Sequence, residues 1–379
     1  MAFITGGSLL PTNIPKYQTP LVIPPAMPKT ATLPTGKRTV DYYEIAARQF
    51  QQQILPPGLP VTTVWSYGSV QHPGTVAQGG SFNYPAFTIE ARYKNPVQVK
   101  WINDLVDANG NYLPHLLPVD QTLHWANPPG GNAMRDSHGN DPLRYQGPVP
   151  LITHVHGAHT YDWADGYTEA WYLPAAVNIP PGFATVGSHY DSFKALSPLA
   201  AKWTPGSALF EYPNDQGDAT LWYHDHSLGM TRVNIYAGPV GFYLLRGAPD
   251  NQFDDRITGK KAVLPGPAPA IGNAPGTRYY EIPIAIQDRS FNVDGSLFYP
   301  DNRAFFEGLD PAQLQIPFSP SVACDGQPSD VAPIWNPEFF GNTMVVNGAT
   351  WPYLNVEQRR YRLRFLNGCN SRFLILRLS

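Results

Sequence analysis

Charge, cysteine and long apolar runs are all scarce in this chain, and each scarcity closes off a class of function. Charged residues make up only 15% of the 379, with 26 basic and 29 acidic side chains scattered to a net charge of −3. No basic cluster exceeds short pieces such as Arg359-Arg360, so nothing here recruits nucleic acid or an anionic membrane. No segment reaches the roughly 18 uninterrupted apolar residues of a membrane span. The opening MAFITGGSLLPTNIPKYQTP also lacks a basic region followed by an apolar run. The reading is a soluble chain without a visible export signal, cytoplasmic or associated with a spore or cell surface. Cys324 and Cys369 are the only cysteines and lie too far apart for a local metal knuckle. Two buried thiols and one disulfide are both open readings.

What is plentiful points to β-structure. The 41 prolines are roughly twice the common share of about 5%, and with 33 glycines they favour turns over long helices. Hydrophobic residues, at 42%, suffice for the cores of roughly two domains of about 100–200 residues each. Residues 1–60 read as a proline-rich arm with one strand at Tyr42–Ala47. From Thr62 onward seven strand-like runs recur between turn residues: TTVWSYGS, AFTIEARY, VQVKWIND, LITHVHG, ALFEYP, ATLWYHDHS and GPVGFYLLRG. This predicts an antiparallel sandwich or barrel over residues 61–246. It carries two long insertions, Tyr112 to Gly147 and Ala164 to Pro205, placed like functional or lid-like loops.

Residues 247–340 read as a linker and irregular connection, richest in Pro, Gly and Ala between Gly247 and Thr277. Residues 341–379 carry TMVVNG, YRLRFLNG and RFLILRLS, which read as opening strands of a second sandwich. Some forty residues cannot close a sandwich of about a hundred, so this second domain is expected to be incomplete.

Four of the ten histidines fall into two identical patterns, His154-Val-His156 and His224-Asp-His226. On a strand, residues i and i+2 share a face and lie roughly 6.6 Å apart at ~3.3 Å per residue. Each pair therefore presents two imidazoles in one direction, spaced for two ions rather than one chelated ion. If the two strands face each other, four neutral imidazoles converge. Imidazole suits Zn, Cu, Fe and Ni, and the absence of nearby thiolates argues against a closed structural zinc site. The bland alternative is a half-exposed polar strand face. A second alternative is a metallo-hydrolase using His154, His156 and His159, but Ala158 occupies the place where its metal-binding aspartate is needed. Asp225 alternates to the opposite side of the strand, where it is free to orient a nearby imidazole. Trp222, Tyr223 and Met230 read as packing residues.

Taken in order, TTVWSYG, FTIEARYKNPVQVKWIND, LPVDQTLH, THVHG, DGYTEAW, LWYHDHSLGMTRVNIYAGPVGFYLL and VNGATWPYL resemble the multicopper oxidases. The resemblance is to the branch of bacterial spore-coat laccase and bilirubin oxidase, from about Leu59 to Ser379. It implies an all-β chain: a cupredoxin-like Greek-key sandwich, a linker, and the incomplete start of a second cupredoxin-like domain. It also implies an enzyme that couples one-electron oxidation of phenolic, bilirubin-like or metal-ion donors to reduction of O₂ to water. By the same resemblance His154 would ligate a type 2 copper, and His156, His224 and His226 a type 3 pair. Asp165 would assist proton supply, its plainer reading being a turn residue before Gly166. The family's type 1 copper needs a His-Cys-His segment, and neither cysteine here has a flanking histidine. A companion polypeptide carrying the remainder is therefore expected. The alternative is a non-catalytic copper-binding or coat protein.

Overall fold

In the computed structural model, which describes residues 7–36, 38–121, 123–139, 144–248, 269–270, 273, 277–301 and 338–377, the first sheet forms around one long strand. That strand, β2 (Arg38–Gln52), pairs along successive stretches with β1 (Ala31–Thr35) and β3 (Thr62–Ser69). It also pairs with β5 (Val97–Asn103), which continues to β7 (Ser207–Tyr212). The second sheet runs in the order β4 (Ala86–Arg92), β9 (Val240–Arg246), β8 (Ala219–Asp225), β6 (Thr153–His156).

Alternation explains why the sheets stack. On β5 the fully buried Val97, Val99 and Trp101 point to one side, as a period of two requires. They meet Ile89, Tyr223 and Tyr243 of the second sheet in one buried cluster. Trp101, Tyr67 and Tyr223 form its centre, with ring centroids 5.3–5.4 Å apart. Burial of each such ring is worth about 2–3 kcal/mol. Tyr223 and Met230 are buried, as packing residues should be.

The expectation of purely antiparallel pairing is corrected, because β2–β5 and β4–β9 pair in parallel. A Greek-key sandwich joins strands of opposite sheets, and its returning chain can lie alongside in either sense. The arm expected over residues 1–60 is also revised. Its strand extends well beyond Tyr42–Ala47 to Arg38–Gln52 and takes a central place in the first sheet, because Tyr43, Ile45 and Ala47 supply core residues.

A third sheet is centred on β10 (Glu281–Phe291), which pairs with β11 (Leu297–Phe298), β12 (Thr343–Val346) and β14 (Arg362–Asn367). The short β13 (Ala349–Thr350) pairs with β12. Sheet structure therefore resumes at residue 281, inside the stretch 247–340 expected to be irregular. Most of Gly247 to Thr277, Cys324 and residues 302–337 lie outside the described residues. RFLILRLS is no strand over 372–377, and Phe373 and Ile375 are exposed there.

The alternation of β14 is inverted relative to a usual half-buried strand. Arg364 is buried while Leu363 and Phe365 are exposed. The cause is Glu281, 1% exposed, which draws Arg364 (3.2 Å), Arg362 (3.3 Å) and Arg246 of β9 to itself. This ion network, with Phe242 and Leu244 packed on Ala285, ties the third sheet to the second.

Candidate metal centre

The two histidine pairs lie on neighbouring strands of one sheet rather than on facing strands. Antiparallel pairing of β6 with β8 sets His154 opposite His224 and His156 opposite Trp222. The chain extends this pairing one step, because the His226 N–H donates to the Ile152 carbonyl at 2.8 Å. All four imidazoles, with Trp222, thus occupy one face, while Val155, Tyr223 and Asp225 occupy the other.

The rings converge. Centroids of His154 and His226 are 4.7 Å apart and nearly parallel; His154 lies 5.5 Å from both His156 and His224, and His224 is 5.8 Å from His226. The ligand atoms of His154, His156 and His224 all lie within 4.8 Å of one another.

Backbone carbonyls decide which ring nitrogen faces inward. His154 Nδ1 donates to the Asp165 carbonyl, His226 Nδ1 to the Gly166 carbonyl at 2.9 Å, and His224 Nδ1 to the Asp225 carbonyl at 2.7 Å. A carbonyl only accepts, so each of these rings carries its proton on Nδ1 and leaves the Nε2 lone pair free. His156 differs: its Nδ1 lies 3.4 Å from His224 Nε2. The converging donor set is therefore the imidazoles of His154, His156 and His224, with the His226 ring stacked beside His154; such nitrogen donors fit copper or another imidazole-favouring ion better than a hard cation.

Burial disfavours charging of two of these rings. His224, 3% exposed, is pushed down to about 3 by desolvation. His156 is lowered by burial and then by His154 and His226. His154 is raised: burial opposes its charging, but the carboxylate and carbonyl of Asp165 outweigh it. The Asp165 carboxylate stands 3.3 Å from His154 Nδ1, half exposed to solvent, and its contact with His154 lowers it in turn.

The other candidates stand elsewhere. His159 is exposed and sits 3.5 Å from Asp215, outside the group of converging ligands formed by the described residues. Asp225 does face away from the histidines, yet its carboxylate orients no imidazole. It accepts instead from Ile152 N, Ser227 N and Asn234 Nδ2. Sequence reasoning missed Trp222 as a wall of the site, 4.1 Å from His224. The i−2 spacing of Trp222 from His224 was the available signal. It also missed the carbonyls of Asp165 and Gly166, which no side-chain pattern marks.

No family model matches the chain. Similar curated proteins include the laccase of Bacillus subtilis, 32% identical over 89% of this chain and 47% of its own length. The laccase of Haloferax volcanii is 33% identical over 97% of this chain and 45% of its own. A multicopper oxidase of Arabidopsis thaliana is 30% identical over 83% and 38%. The chain spans about half the length of the curated relatives it matches. Among solved structures, a multi-copper oxidase from Pediococcus acidilactici superimposes with a TM-score of 0.51 at 17% identity, covering 94% of this chain and 46% of that one. That likeness concerns the fold, which is all-β and cupredoxin-like.

Proposed function

The chain belongs to the multicopper oxidase family, and on that premise we propose that it supplies part of the copper site of a laccase-like oxidase. The observation that carries the proposal is the convergence of His154, His156 and His224, with His226 stacked on His154, and the hold of backbone carbonyls on Nδ1 of His154, His224 and His226. His154 is assigned to a type 2 copper and His156, His224 and His226 to a type 3 pair. Copper bound there would accept electrons one at a time and deliver them to O₂, which is released as water.

The chain's own residues hold the site ready for this. Carbonyl acceptors fix the tautomers, and desolvation keeps His224 and His156 neutral and able to ligate. Asp165 bridges solvent and site, with one edge exposed and the other against His154. It is assigned to receive protons from water and pass them inward. Small phenolic, bilirubin-like or metal-ion donors are the proposed reductants. Their electrons enter through a type 1 copper on a companion polypeptide that also completes the cluster, since neither cysteine of this sequence has the histidine neighbours that site needs. The same observation favours a second reading, a non-catalytic copper-binding or coat protein.

Copper titration of the 379-residue chain with elemental analysis tests the site. His224→Ala is expected to lose copper and His159→Ala to keep it; equal loss in both, or none in either, rejects the assignment. O₂ uptake with a phenolic donor, in the presence of a polypeptide carrying the remaining ligands, separates the two functional readings. Native mass measurement of the source material checks the companion: a lone species at the mass of this chain argues against it.

A further inference from the structure

Beneath the histidine face lies a buried polar chain that the copper chemistry does not itself require. Asp225 is completely buried, and its partners among the described residues are backbone N–H groups and neutral side chains. Its Oδ1 accepts from Ile152 N at 3.0 Å, and its Oδ2 from Ser227 N at 3.1 Å and Asn234 Nδ2 at 2.8 Å. Asn234, also fully buried, lies on the short helix Thr231–Ala237. Its Oδ1 meets His115 Nε2 at 2.8 Å, and His115 Nδ1 lies 2.8 Å from Leu117 N.

The polarity of this chain follows from its ends. Leu117 N–H can only donate, so His115 Nδ1 is the acceptor and Nε2 carries the hydrogen. That hydrogen requires Asn234 Oδ1, which turns Asn234 Nδ2 toward Asp225 and toward the Pro150 carbonyl at 3.3 Å. The His115 and Asn234 donors are thereby committed in direction, and the chain ends at a carboxylate that also accepts from Ser227 Oγ at 2.9 Å and clamps two main-chain groups. Those groups are Ile152, two residues before His154, and Ser227, directly after His226. The clamp holds β6 and β8 together where the regular ladder ends at Thr153 and Asp225.

We infer that Asn234, backed by His115, is a positioning residue for the metal centre: through Asp225 it sets the spacing of the two histidine-bearing strands. This rests on the copper-site reading above. It also assigns a role to the insertion Tyr112 to Gly147, which delivers His115 to the back of the sheet.

Cobalt(II) added to the 379-residue chain is the probe, its titration reporting affinity and its d–d absorption reporting ligand geometry. Asn234→Ala and His115→Phe, the latter keeping a ring against Trp65, are expected to bind about tenfold more weakly with a displaced band, in the range seen when partners of metal ligands are removed. His115→Gln offers an acceptor and a donor in place of the two ring nitrogens, and it is expected to retain wild-type affinity within about twofold and the wild-type band. If Asn234→Ala fails to fold, the two His115 variants decide. Wild-type affinity and band in Asn234→Ala and His115→Phe, with only the melting temperature lowered, overturn the inference. So does His115→Gln as impaired as His115→Phe. A wild-type chain that gives no band overturns both this and the copper-site reading, whereas a wild-type band unmoved in the variants overturns this alone.

Discussion

Replacing Gly166 by alanine perturbs the site without touching a ligand. Gly166 has φ +76° and presents its carbonyl to His226, while the carbonyl before it holds His154. An added Cβ presses into the Thr153 carbonyl oxygen and stands 2.8 Å from the carbonyl carbon and 2.9 Å from His154 Cα. These are main-chain atoms of β6, so no side chain can swing aside. The left-handed backbone alone costs about 1–2 kcal/mol for an L-residue. Overpacking against the strand adds about 1–3 kcal/mol. Gly182 supplies the control, since its φ is +87° but nothing lies within 4 Å of a Cβ. Gly182→Ala should therefore cost only the backbone share, about 1–2 kcal/mol. Gly166→Ala should exceed it by about 1–3 kcal/mol in guanidinium unfolding and weaken copper binding at least about tenfold as the carbonyls shift. The two variants, compared by denaturation and copper titration, test the reasoning directly. Equal stability and unchanged copper affinity in both would show that β6 yields freely and that the carbonyls do not set the rings.

Acid should destabilise the metal-free chain. His115, pushed down to about 4, and His224, pushed down to about 3, both by desolvation, bind protons more readily when unfolded, from an ordinary value of 6.5. Their stability contribution is thus present above pH 6.5 and lost as pH falls below it, by up to about 1.4 kcal/mol per pH unit per histidine. His154, raised in the fold, acts in the opposite sense. Unfolding of His115→Gln at neutral and acid pH should show a slope smaller by one proton; an unchanged slope refutes the assignment. Glu281→Gln leaves the buried Arg364 without its carboxylate, while Arg246 keeps Glu90, and should cost about 3–5 kcal/mol. A loss under about 1 kcal/mol in thermal unfolding would mean that Arg364 finds water instead.

The candidate site was readable where its geometry is local. The spacings His154-Val-His156 and His224-Asp-His226 carry their own periodicity, and strand alternation alone puts each pair on one side and Asp225 on the other. The conjunction of the pairs was less accessible, because adjacency of β6 and β8 depends on the register of strands some seventy residues apart. The Glu281 network shows the reverse failure. The pattern of YRLRFLN reads as an apolar side turned inward, yet a distant buried carboxylate reverses which side is covered. Likewise β2 was visible only as Tyr42–Ala47, since its polar outer stretch gains strand form by pairing with β1 and β3.

By itself the sequence determined the class of the chain, the positions of the strands that carry chemistry, and two same-face histidine pairs suited to an imidazole-favouring metal. These properties rest on composition and on a two-residue period, which act within a few ångströms along the chain. Tertiary structure decided the rest: that the pairs share one sheet, that carbonyls of Asp165 and Gly166 choose each ring's nitrogen, and that His115 reaches Asp225 through Asn234. Each of these joins residues distant in sequence, and burial makes the joining strict, since a polar group removed from water must find its partner inside the fold.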